Sequence, residues 1–226
     1  MQLLKISFIL SLVTSLCSFA YYSTYEDGRE RLYKDFLSKF EQINLPNTIT
    51  LEAYIVTNEM TPQKRKKQLE KLESKTELNK VLTKDYDAFI PGIGRGMMSR
   101  MGPSTYKAEL ALATSGKYSA VIYSESRAFD GGAKSYLLAT FDGKGNPIAT
   151  RYLGYSGLEE QTELTITERM ELTTKRIVLE GESKRYDEKD VKKMFITPKG
   201  EILVHEETKS MDEIEPVQQK AILKFS

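Results

Sequence analysis

The hydrophobic positions of this chain change period near residue 104. Before that point they recur at three- and four-residue spacing, and after it they alternate with polar residues. Between Tyr25 and Ile43, residues Leu32, Phe36, Leu37, Phe40 and Ile43 form one apolar stripe, which predicts an amphipathic helix. Pro46 ends it, because proline disfavours helical geometry in the residue before it. Asn47 to Thr57 reads as a short strand with Ile49, Leu51 and Ala53 on one face. Thr61-Pro62 is a helix start, Thr as N-cap and Pro at the first position, for a helix running to Ser74. A second helical piece follows from Lys75 to Leu82. The basic run Lys64-Arg-Lys-Lys67 reads as a solvated helix face beside the narrow apolar edge of Leu69 and Leu72.

From Thr105 onward the pattern is that of strands. Tyr106–Ala113 and Lys117–Ser124 are joined at Ser115-Gly116, a hairpin signal. Ser119-Ala-Val-Ile-Tyr123 is the most apolar stretch and is expected at a sheet centre. Ser135–Phe141 and Pro147–Leu153 flank the turn Asp142-Gly-Lys-Gly-Asn146. Glu163–Leu172 reads as one strand, with Leu164, Ile166, Met170 and Leu172 on one face and Glu168 interrupting it. Arg176–Glu180 returns, and Val191–Ile196 pairs with Ile202–Glu206 over Thr197-Pro-Lys-Gly200. Met211–Val217 is an acidic connector, and Gln219–Phe225 is expected to close the set. The fold class is therefore α+β: a curled antiparallel meander sheet, barrel-like, with N-terminal helices packed on it. A helical segment over 21–104, with one short strand and a Gly/Met-rich loop, precedes a sheet region over 105–226, and the two are expected to form one domain.

The first twenty residues fit neither pattern. Lys5 gives a short charged n-region, Ile6 to Leu16 is apolar apart from Ser and Thr, and Ser18-Phe19-Ala20 supplies small residues for cleavage. Residues 1–20 thus read as a secretory signal cut after Ala20, which places the mature chain in the periplasm or outside the cell. A lipid anchor on Cys17 is not expected, because Leu16 stands where the lipoprotein pattern puts a small residue. No later apolar run is long enough to span a bilayer.

Removal of the signal changes the chemistry. Lys plus Arg falls from 33 to 32 against 32 Asp plus Glu, so the mature chain is neutral. A nucleic-acid partner needs a basic footprint and is excluded on this ground. The single cysteine, Cys17, leaves with the signal, so the mature chain has no disulfide, thiolate ligand or thiol nucleophile. The single histidine, His205, shares a strand face with Leu203 and has no G-x-S-x-G elbow to accompany it. No metal or other cofactor is expected, and the calcium-loop spacing of carboxylates is absent.

Ile90 to Pro103 is the most unusual segment, with glycines at 92, 94, 96 and 102. Its spacing matches neither a phosphate loop nor a dinucleotide turn. Arg95 and Arg100 are suited to fork onto a carboxylate or phosphate, and Met97, Met98 and Met101 add adaptable apolar contact. These five residues are the candidate ligand or partner surface.

Phe36-Leu37…Phe40…Ile43-Asn-Leu-Pro46, Ala120-Val-Ile-Tyr123 and Leu138-Ala-Thr-Phe-Asp142…Gly145…Ile148 together resemble a group of exported bacterial proteins. Members of that group pair an N-terminal helical segment with an antiparallel sheet, and the resemblance implies that fold. It carries no activity. The sequence is therefore read as an exported, non-enzymatic binding or scaffolding protein of the bacterial cell envelope, with a small ligand or an envelope protein as partner. The alternative is a carboxylate-dependent hydrolase acting on envelope glycans. Glu168 is its candidate acid, since burial in an apolar face would suit a general acid, with Glu125 and Asp130 as candidate second carboxylates.

Overall fold

A computed structural model describes residues 28–53, 61–93, 104–114, 116–127, 132–180 and 183–205. Helix α1 spans 28–38 and turns Tyr33, Phe36 and, just beyond its end, Phe40 into the core. It is shorter than its apolar stripe. The amides of Lys39 and Phe40 bond back to the carbonyls of Phe36 and Leu37, and the chain then extends as strand β1 (Glu41–Ile43). β1 pairs parallel with a later strand, Ile43 opposite Leu112. Pairing with an existing sheet satisfies the backbone groups that a fourth helical turn would have satisfied, so tertiary context overrides the helical period here.

β2 (Asn47–Leu51) follows. Helix α2 (Pro62–Leu72) starts where Thr61-Pro62 predicts, with the Thr61 hydroxyl accepting from the Lys64 amide at 3.4 Å. Ser74 caps α3 (Lys75–Asn79) in the same way. β3 (Val81–Leu82) and a single 3-10 turn (Lys84–Tyr86) come next. The remaining strands are β4 (Ser104–Leu112), β5 (Tyr118–Arg127), β6 (Lys134–Asp142), β7 (Pro147–Ser156), β8 (Glu160–Ile166), β9 (Glu171–Glu180), β10 (Ser183–Ile196) and β11 (Ile202–His205).

These strands form two sheets, and neither closes into a barrel. Sheet A runs β1-β4-β5-β6-β7 with β3 also on β4, and sheet B runs β11-β10-β9-β8-β2. The expected single curled meander breaks between β7 and β8. After Ser156 and Gly157 the chain leaves sheet A, and β8 pairs with β9 and β2 instead of continuing from β7. The expected closing strand Gln219–Phe225 and the connector Met211–Val217 lie outside the described residues.

Two corrections concern the strands of sheet B. Glu163–Leu172 is not one strand: β8 ends at Ile166 and β9 begins at Glu171. Ile166 and Leu172 are cross-strand partners, so a hairpin returns the apolar face to the same side and imitates unbroken alternation. β10 begins eight residues before the expected Val191, because its first half is charged and offers no apolar period.

Two cores result. One lies between sheet A and the segment from α1 to Ile93, and gathers Phe36, Phe40, Phe89, Val121, Tyr123 and Phe141. The other lies between the sheets, where Ile122, Leu138 and Leu153 of sheet A meet Leu164, Ile166 and Leu172 of sheet B. Both faces of sheet A are therefore covered, which is why Ala120-Val-Ile-Tyr123 of its central strand is apolar at successive positions. The turn after β10 anchors on sheet A: the Thr140 hydroxyl donates to the Gly200 carbonyl at 2.6 Å.

Candidate functional site

The seam between the sheets is built at the β7–β8 corner. Gly154 lets the strands approach, since a Cβ there would lie 2.2 Å from Thr162 Oγ1. The Thr162 hydroxyl donates to the Tyr155 carbonyl at 2.8 Å, the Thr162 amide donates to Ser156 Oγ at 3.2 Å, and the Ser156 hydroxyl donates to the Leu51 carbonyl. Beside this stitched corner lies a cleft of about 260 Å³, whose polar lining includes Tyr152, Glu160, Thr174, Arg176, Asp190 and Lys192.

Two irregularities shape the cleft. Gly154 pairs with Tyr136 and Tyr152 with Leu137, so Leu153 is an extra residue on β7. On β10, Asp187 pairs with Arg176 and Val191 with Lys175, so Glu188, Lys189 and Asp190 are extra. Bulges re-aim side chains, and this one brings Asp190 to the cleft wall. Within the cleft the charges pair. Arg176 Nε donates to Glu160 Oε2, and Lys192 Nζ lies 3.7 Å from Asp190 Oδ1. Lys192 Nζ also sits 5.5 Å from the centre of the Tyr152 ring, across from sheet B to sheet A. Tyr152 is still 47% exposed. Burial, then the negative charges of Glu160 and Asp190, push its hydroxyl above the ordinary tyrosine value.

A second polar cluster is buried near the start of sheet A. Glu77 of α3 accepts from Lys107 Nζ at 3.2 Å and lies 3.7 Å from Lys80. Glu109 is a bulge residue on β4, between the paired Ala108 and Leu110. Its Oε1 accepts from Lys134 Nζ at 2.7 Å and from the Ser124 hydroxyl at 2.6 Å. Lys134 is only 5% exposed. Burial raises the Glu77 carboxyl, but the Lys107 hydrogen bond and the charges of Lys107, Lys80 and Lys134 outweigh it and hold the group below its ordinary value. Each charge has a partner, so the cluster joins α3 to sheet A as a satisfied network.

The sequence-predicted site residues fall elsewhere. Arg95, Met97, Met98, Arg100 and Met101 lie outside the described residues, as does Asp130. Glu168 is exposed in the turn between β8 and β9, so the apolar burial expected for it is absent; the hairpin places it at the tip instead of on a strand face. Glu125 accepts from the Ser104 hydroxyl at 2.7 Å. His205 ends β11, exposed, opposite Lys193. Among the described residues no three His, Cys, Asp or Glu side chains gather as a metal set, and no helix is long and apolar enough to cross a membrane. Sequence reasoning missed the cleft. Its one legible signal was Tyr152, an aromatic in a strand-like segment beside Arg151.

The class these features define is an α+β protein with two packed sheets, a helical layer on one of them, and a polar cleft at the seam. Compared with protein-family models, curated proteins and solved structures, the chain matches none.

Proposed function

We propose that this chain is an exported, non-enzymatic binding module of the bacterial cell envelope, and that the seam cleft is its binding surface. The observation that carries the reading is the contrast between the filled core of the two sheets and the polar cleft at their seam. The inter-sheet core is filled by fully buried Ile122, Leu138, Leu153, Leu164, Ile166 and Leu172, whereas the cleft beside it is open and lined by paired charges and an exposed tyrosine. Small sites of this kind orient a ligand with a few placed polar groups. Export rests on the signal-like residues 1–20. The hydrolase alternative drew on a buried Glu168, and its exposed turn position withdraws that support.

Native mass spectrometry of the protein purified from its own envelope tests the reading. A discrete adduct or a bound polypeptide is expected on the wild type, reduced in the Tyr152→Ala/Lys192→Ala variant. A bare wild-type mass, or an adduct that the variant retains in full, overturns the cleft as the binding surface. Amino-terminal sequencing of the same material is expected to begin at Tyr21; an intact Met1 overturns export by signal cleavage.

A further inference from the structure

The cleft also indicates what kind of ligand it takes. We infer that it binds a neutral, polyhydroxylated ring, such as one sugar unit at the end of a glycan; this rests on the cleft being the binding surface. The charge balance points there first. Arg176 and Lys192 face Glu160 and Asp190, and each cation already holds an acid. Lys175 contributes to the wall, but its ammonium lies 5.9 Å from the Tyr186 ring. An anion entering the cleft would have to strip a cation from its carboxylate and then sit beside that carboxylate. A cation meets the mirror-image cost. A hydroxyl donates and accepts at once, so it can bridge a carboxylate and an ammonium without separating them.

Shape gives the second argument. The volume of about 260 Å³ lies below the roughly 300–1,000 Å³ of sites for drug-sized ligands, which limits the occupant to about one ring. Tyr152 is about half exposed as a residue, and the part of its ring that the Lys192 ammonium leaves uncovered offers an apolar surface for the C–H side of a pyranose. An extended peptide adding to the edge of β7 fits less well. The Leu153 bulge interrupts the ladder inside the cleft, and the Tyr155 carbonyl is already taken by Thr162.

The experiment is an amide-resonance titration of the mature protein with methyl glucoside, N-acetylglucosamine, glucuronate and tetra-alanine, read at Tyr152, Thr174 and Lys192. At least one neutral pyranoside is expected to shift these resonances. Its affinity should fall about tenfold or more in Tyr152→Ala and Asp190→Asn, and largely survive in Tyr152→Phe, which keeps the ring. A cleft response to glucuronate or tetra-alanine alone overturns the neutral-ring assignment and leaves the binding surface standing. Shifts by a neutral sugar that neither variant weakens also overturn it. No response to any of the four overturns it as well; a bare native mass would then remove the binding surface too.

Discussion

At the residue scale, the tightest glycine position among the described residues is Gly154. Its backbone conformation is an ordinary strand, so the need for glycine is one of space alone. A methyl group there meets Thr162 Oγ1 at 2.2 Å and Thr162 Cγ2 at 2.6 Å. Gly154→Ala is expected to destabilise the fold by about 1–3 kcal/mol through overpacking, and Gly154→Ala/Thr162→Ala to recover part of that loss, since truncation removes the two nearest atoms. Urea midpoints of the wild type and the two variants check this, and an unperturbed single variant would mean that the corner is loose. Glu77 makes a different residue-scale prediction. Its carboxyl is held below its ordinary value of 4.5 by Lys107, Lys80 and Lys134. A depressed folded value means that the stabilisation is present above pH 4.5 and drains away as pH falls through the lower folded value. Wild-type stability should therefore drop on acidification below about pH 4.5, and Glu77→Gln should drop less steeply. Asp142, likewise held low by hydrogen bonds from Asn146 and Lys144 despite burial, adds to the slope in both proteins, so the difference between them isolates Glu77.

At the element scale, α1 is held mainly through Phe36. Its ring is fully buried and lies 5.0 Å from those of Phe40 and Phe89, 5.6 Å from Tyr86 and 5.6 Å from Phe141. Phe36→Ala is expected to cost about 3–5 kcal/mol, and Phe36→Leu clearly less, because leucine fills more of the space. Thermal unfolding of the two variants decides it; equal losses would mean that ring geometry matters more than volume. The elements that could be read from the chain are those whose signal is local. The Thr61 cap, the Asp142–Asn146 turn and the strands β4, β5 and β6, bounded by turn residues, all carry their cause within a few residues. Those misread depend on distant partners. Glu41–Ile43 continues a helical stripe yet pairs with β4, and Ile166 with Leu172 mimics one strand because they face each other across a turn. The charged first half of β10 is a strand because β9 pairs with it, and no apolar period announces that. The cleft was illegible for the same reason: Tyr152, Arg176 and Lys192 come from three strands, and only the crossing between sheets brings them together.

At the scale of the whole molecule, the chain crosses between sheets more often than its split into a helical segment and a strand region suggests. β1 and β3 belong to sheet A, while β2, from the same N-terminal segment, belongs to sheet B. The inter-sheet core draws buried residues from both sheets, and the same strands of sheet A carry the aromatic core on their other face. Neither sheet can be removed without exposing a face of apolar side chains, and neither core can melt without loosening β5 and β6. This interdependence predicts one cooperative unfolding transition. Tyrosine near-ultraviolet circular dichroism reports on side-chain packing in both cores, through Tyr33, Tyr86 and Tyr123 in the aromatic core and Tyr118 and Tyr136 between the sheets. Far-ultraviolet dichroism reports on the strands of both sheets. The two urea curves are expected to superimpose, with a calorimetric enthalpy equal to the van't Hoff value. An earlier transition in the near-ultraviolet would mean that fixed side-chain packing is lost while the strands persist, and the two cores would then not melt together with the sheets.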